Sequence, residues 1–255
     1  MHMLLMLGIL TLIYFMALFL ISVYRFNINV KICDAVFIVA DLVFFFCWTY
    51  GGYLDGWLKD GWLTLDNISP CIFTVIPLLV FVKEKYKQFA YCAIAFLNVG
   101  MFFALLISPE HAYIFNFDTE ASFIYTAEAA CHLLASLYGI YLVLTGRVTV
   151  SFKSWLKSIA FMFSVITLGV ILNFIFHKSF FGMDPYGHAS IYMFDFFDSF
   201  GATLTAYYFS VLVVLTVGMQ SAYLVEKATA KLAIHKKEVK DVENSESDSE
   251  DFLLV

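Results

Sequence analysis

The chain has 255 residues, of which 62% are apolar or aromatic and only 14% charged, with a formal net charge of −6. Soluble domains run nearer about half apolar and about a quarter charged, and one core of this size cannot hide so much apolar surface from water. Lipid must therefore cover much of it, which excludes a soluble enzyme, a nucleic-acid binder and a disordered scaffold.

Seven apolar stretches approach the ~20 residues that a helix needs to cross hydrocarbon. They cover residues 3–24, 33–53, 68–82, 88–107, 123–145, 155–177 and 200–224. These predict an all-α, polytopic bundle of seven transmembrane helices over residues 1–225. The alternation of barrel strands is absent. The first stretch is a retained helix rather than a signal peptide. Met1-His2-Met3 supplies no basic start, and Tyr24-Arg25 follows in place of a small-residue cleavage site.

The second stretch carries Asp34 and Asp41, seven apart and hence on one helix face. Asp34 sits at the boundary as an interfacial residue. Asp41 is deeper, where an ionisable side chain is costly; it is either functional or a hydrogen-bonded structural group. The third stretch is short, opens with Ser69-Pro70-Cys71 and contains Pro77, so a kink is expected. Asn98 in the fourth can join helices by hydrogen bonding.

The fifth stretch holds the densest polar set, Glu128-Ala-Ala-Cys131-His132. Glu128 and His132 are four apart and share a face. A carboxylate one turn from an imidazole can fix its tautomer and raise its basicity, as a general base requires. The same pair can equally bridge helices. In the sixth stretch Asn173 and His177 are again four apart; Asn173 can donate to an oxyanion, and His177 lies at the edge.

Basic residues mark the first, third and fifth loops (Arg25 and Lys31; Lys83, Lys85 and Lys87; Arg147, Lys153 and Lys157), and acidic residues mark the others. By the positive-inside rule the N-terminus is outside and the C-terminus inside. This puts Cys71, Glu128, His132, Asn173 and His177 in the outer half. Residues 226–255 form a cytoplasmic tail, basic from Lys227 to Lys240 and then acidic with interspersed serines. Its basic part suits anionic head groups, and its distal part reads as disordered and solvated. The net charge divides evenly, −3 on each side of residue 225, and neither part suggests nucleic acid.

There is no CxxC pair, no Gly-rich phosphate loop and no Walker lysine, so no cofactor is expected. Two chemistries fit the outer polar residues. A thiol beside a base can accept an acyl group. A thiol with two imidazoles and a carboxylate can hold a metal, but no local ligand motif such as HExxH supports that. The loop from Lys178 to Ser199 is rich in aromatics, as in an interfacial lid or an aromatic belt.

The order of these motifs resembles the YwaF-type bacterial membrane proteins and their relatives, the transmembrane protein 164 acyltransferases. The similarity covers roughly residues 30–225. It rests on Ser69-Pro70-Cys71, Leu105-Leu106-Ile107-Ser108-Pro109, Cys131-His132, the segment Leu137-Tyr138-Gly139-Ile140-Tyr141-Leu142-Val143-Leu144, and Asn173 before the aromatic loop. The resemblance implies acyl transfer on membrane phospholipids; separately, the Phe-rich bias and small loops suit a bacterial inner membrane. Cys71 would be the nucleophile and His132 the base, with Glu128 orienting His132 and Asn173 at the oxyanion. A transporter or substrate-binding subunit for a small solute, with Asp41, Glu128 and His132 handling protons, is the alternative. A sensor or scaffold that recruits a partner through its tail is a third reading.

Overall fold

A computed structural model of the chain describes residues 3–25, 29–54, 68–107, 122–182 and 199–251. Among these residues there are seven α-helices and no strand: α1 (Met3–Tyr24), α2 (Val30–Leu54), α3 (Ile68–Leu78), α4 (Glu84–Ile107), α5 (Phe123–Leu144), α6 (Phe152–Phe176) and α7 (Phe200–Asp251). Each apolar stretch overlaps one of these helices, and the third (68–82) runs on past α3 through a 3-10 turn. Four of them hold segments long and apolar enough to cross a membrane: Leu5–Tyr24, Phe123–Leu144, Phe152–Phe176 and Phe200–Ala230. The acidic loops around Asp55–Asp66 and Glu110–Glu120, and residues 183–198 of the aromatic loop, lie outside the described residues.

Local chemistry sets the helix limits. Asn29, Ser122, Ser151 and Ser199 each accept a hydrogen bond from a main-chain N–H in the first turn that follows, which satisfies donors that have no partner inside the helix. Pro77 removes an N–H from α3. The chain then tightens into a 3-10 turn, Leu79–Phe81, and leaves it through extended Val82. At the end of α5, Gly146 takes a left-handed conformation (φ 71°) and its N–H bonds the Val143 carbonyl at 3.1 Å.

Helices α4 and α5 form the centre. Ala93, Ile94, Ala95 and Phe96 of α4 are completely buried, and α5 is buried at nearly every position from Ala129 to Val143. Helices α1 and α2 pack on α5, whereas α6 and α7 pack on α4. Close approach between them depends on small residues: a Cβ on Gly139 would meet the Asn98 Cβ at 3.1 Å, and one on Gly218 would fall inside the Phe96 carbonyl. The outer helices are apolar on their exposed faces as well. Leu12, Met16 and Phe19 of α1 are each at least 60% exposed, a pattern that suits lipid and not water.

Two long-range contacts close one end of the bundle. The Arg25 guanidinium donates to the Thr229 carbonyl at 2.8 Å, tying α1 to the charged continuation of α7. Arg147, just after α5, pairs with Asp34 of α2 and donates to the Tyr91 hydroxyl of α4 at 2.5 Å. Its guanidinium also lies 4.5 Å over the Tyr91 ring. Partial burial works against this charge, but the Asp34 carboxylate and Tyr91 more than offset it, so the Arg147 pKa is raised. Asp34 is thus half of an ion pair joining three helices. Arg147→Gln is expected to lower stability by about 2 kcal/mol, the scale of a lost hydrogen bond between charged groups, measured as a shift in thermal unfolding in detergent.

Candidate functional site

His132 projects from α5 between two aromatic rings. Trp48 of α2 lies 5.9 Å from its centroid, and Phe73 of α3 meets it edge-on at 5.4 Å. Its Nδ1 is 2.8 Å from the Glu128 main-chain carbonyl. A carbonyl oxygen only accepts, so Nδ1 carries the proton, and Nε2 of the neutral ring keeps a lone pair. The i,i+4 spacing therefore fixes the tautomer, as the sequence suggests, but through the peptide group. The Glu128 carboxylate is half-buried and makes no hydrogen bond among the described residues. Glu128→Gln keeps the carbonyl and is expected to change any His132-dependent rate by less than about tenfold, as steady-state kinetics would show.

His132 forms part of the wall of a cavity of about 410 Å³ between α3, α4, α5 and α7. The wall is mostly apolar, with Ile72, Phe73, Val213 and Val217, and its polar members are Ser69, Asn98 and His132. Asn98 donates from Nδ2 to the Ile94 carbonyl of its own helix at 2.8 Å, which leaves Oδ1. A hydrocarbon chain fits such a lining, with an imidazole and a hydroxyl at its edge.

The remaining sequence candidates are placed apart. Cys71 is buried in the main core, beside Tyr207 of α7, and does not line the His132 cavity. Each helical residue turns the chain by about 100°, so Ser69, Ile72 and Phe73 face the cavity while Cys71 faces away. Asn173 is completely buried and holds the turn after α6: its Oδ1 accepts from the Phe180 N–H at 2.6 Å, and its Nδ2 donates to the Phe180 carbonyl at 3.0 Å. Both ends of the amide are thus committed to main chain, which accounts for its place near the helix end without an oxyanion. His177 caps α6 in a left-handed conformation, φ 52° and ψ 45°. Among the described residues no three His, Cys, Asp or Glu side chains are grouped so as to hold a metal ion.

Asp41 is the most anomalous residue in the interior. It is 1% exposed, and neither carboxylate oxygen has a hydrogen-bond partner among the described residues; the same holds for Trp48 Nε1 on the same face of α2. The Cys131 thiol, fully buried on α5, lies within electrostatic reach of Asp41, Glu128 and Cys47. An unsatisfied buried polar group costs about 1–3 kcal/mol. Asp41→Leu is accordingly expected to raise stability by up to about that amount; a lower unfolding temperature in the variant would show that the carboxyl contributes to holding α2 on α5.

Ser69 and Asp41 follow from different signals. Ser69 is found only when the rotation of α3 is known. Asp41 is visible in sequence, but its lack of a hydrogen-bond partner among the described residues is not. No family model, curated protein or solved structure matches the chain, so the similarity to the YwaF-type proteins rests on the residues quoted for it.

Proposed function

We propose that this chain is a membrane-embedded lipid acyltransferase with His132 as its base. The observation that carries this reading is the His132 ring, fixed at Nδ1 and set in the wall of a mostly apolar cavity of about 410 Å³. The reading includes seven spans with the N-terminus outside, a bacterial inner membrane, and membrane phospholipids as donor and acceptor. It also includes membership of the YwaF-type family.

The resemblance implies a thiol nucleophile at Cys71, whereas sharing of the cavity favours the Ser69 hydroxyl. The chemistry is the same in form. His132 Nε2 takes the proton of the nucleophile, whose oxygen or sulfur bonds the acyl carbonyl carbon of a phospholipid ester. The ester bond to glycerol breaks, and the departing alkoxide receives the proton from His132. A lysophospholipid hydroxyl then reverses these steps and carries off the acyl group. The direct test is transfer of a labelled acyl chain from phospholipid to lysophospholipid by the purified chain in vesicles. Labelled acceptor is the expected product, lost in Ser69→Ala and kept in Cys71→Ala. Absence of any transfer across mixed phospholipids overturns the reading.

The Asp41 carboxyl, which has no hydrogen-bond partner among the described residues, favours one other reading, movement of a proton or small solute along α2 and α5. That reading requires pH-dependent uptake into vesicles that Asp41→Asn abolishes and Cys71→Ala leaves intact.

A further inference from the structure

A second cavity, about 380 Å³, lies between α2, the 3-10 turn and the start of α4. Asp34 and Trp48 share α2, and at 1.5 Å rise per residue they stand roughly 20 Å apart along it. Asp34 lines this second cavity, and Trp48 flanks His132. The two cavities are therefore separate places in the bundle.

The wall of the second cavity is amphipathic. One part is charged, with Lys31, Lys87, Asp34 and Glu84. The other is apolar and includes Val39 and Val80, which are 60% and 59% exposed on the outer surface of the bundle. Three of these four charges are already paired. Asp34 is held by Arg147. Glu84 is 2.5 Å from the Lys87 ammonium, whose hydrogen bond holds the carboxyl below its usual range. Lys31 has no ion pair among the described residues. The uncompensated charge at this cavity is therefore a single cation, beside an apolar slot that opens toward lipid. The Tyr138 side chain also lines it and can donate from its hydroxyl.

We infer that this cavity is a binding site for a glycerophospholipid, with the phosphate on Lys31 and the Tyr138 hydroxyl and an acyl chain along Val39 and Val80. Phosphate needs a cation and hydroxyl or amide donors; the chain needs an apolar wall continuous with the bilayer. A soluble phosphate compound would satisfy the first requirement and leave the second wall bare. The position, at the end of the bundle that carries Lys83, Lys85 and Lys87, places the lipid on the basic side. The inference does not depend on acyl transfer at His132.

The test is native mass spectrometry of the full chain in detergent, titrated with phosphatidylglycerol, with dioleoylglycerol as the lipid that lacks phosphate. One phosphatidylglycerol per chain is expected to remain bound, more tightly than dioleoylglycerol. Lys31→Gln is expected to weaken retention about tenfold, the size of one lost charge-assisted hydrogen bond, while Lys31→Arg retains it. Val39→Trp, which fills the apolar part, should weaken it too. Lys31 is exposed, so its variants fold, as an unchanged unfolding temperature will show. Equal retention of the two lipids, undiminished binding by Lys31→Gln, or displacement of the lipid by an equal concentration of glycerol phosphate each overturns the inference.

Discussion

Gly218→Val is expected to prevent recovery of a folded, monodisperse bundle. Gly218 lies on α7 against the main chain of α4, where any Cβ would fall inside the Phe96 carbonyl. Phe96 is completely buried in the central helix, and its backbone cannot move without disturbing Ala95 and Ile94, which are buried as well. Overpacking a well-filled core usually costs about 1–3 kcal/mol, and here the obstacle is backbone with no rotamer to escape into. A loss of at least about 3 kcal/mol is therefore expected. Gly100 supplies the control. A Cβ there would meet the Gly218 Cα at 3.7 Å, an ordinary contact, so Gly100→Ala should unfold near the parent temperature. The comparison by thermal unfolding in detergent separates a need for small residues in general from the need for this one.

On the acyl-transfer reading, His132→Gln should lower the rate by about 10²–10⁴-fold, the usual contribution of a positioned general base, while the protein still folds. Glutamine is close in size and can still donate to the Glu128 carbonyl, so the hydrogen bond at Nδ1 has a substitute. It has no basic nitrogen to replace Nε2. The rings of Trp48 and Phe73 confine the side chain on both sides and keep the substitution local. A variant that folds and keeps its full rate would remove His132 from the chemistry. Measuring kcat and KM separately adds a check, because loss of a base lowers kcat, whereas a merely reshaped cavity raises KM.

The helices were legible because the apolar stretches are long. The first, fifth and sixth stretches match α1, α5 and α6 to within a few residues. The neighbourhood of His132 was legible in part, since i,i+4 spacing put Glu128 over it, although the peptide carbonyl makes the bond. What sequence could not supply was rotation and distance. Cys71 and Ser69 are two residues apart on a short helix, and which one shares a cavity with His132 depends on how α3 is turned. The pairing of Asp34 with Arg147 spans 113 positions, and no local pattern announces it. Asn173 reads in sequence as a donor for an oxyanion because its partner, the Phe180 main chain, has no side-chain signature.

The acyl-transfer reading is tested most directly by the intact mass of the purified chain after incubation with mixed phospholipids. It predicts an added acyl mass that His132→Gln lacks. An ester on Ser69 will resist neutral hydroxylamine and disappear in Ser69→Ala; a thioester on Cys71 will be cleaved by hydroxylamine and disappear in Cys71→Ala. A chain whose mass never changes, in the parent or in any variant, contradicts covalent acyl transfer at this site.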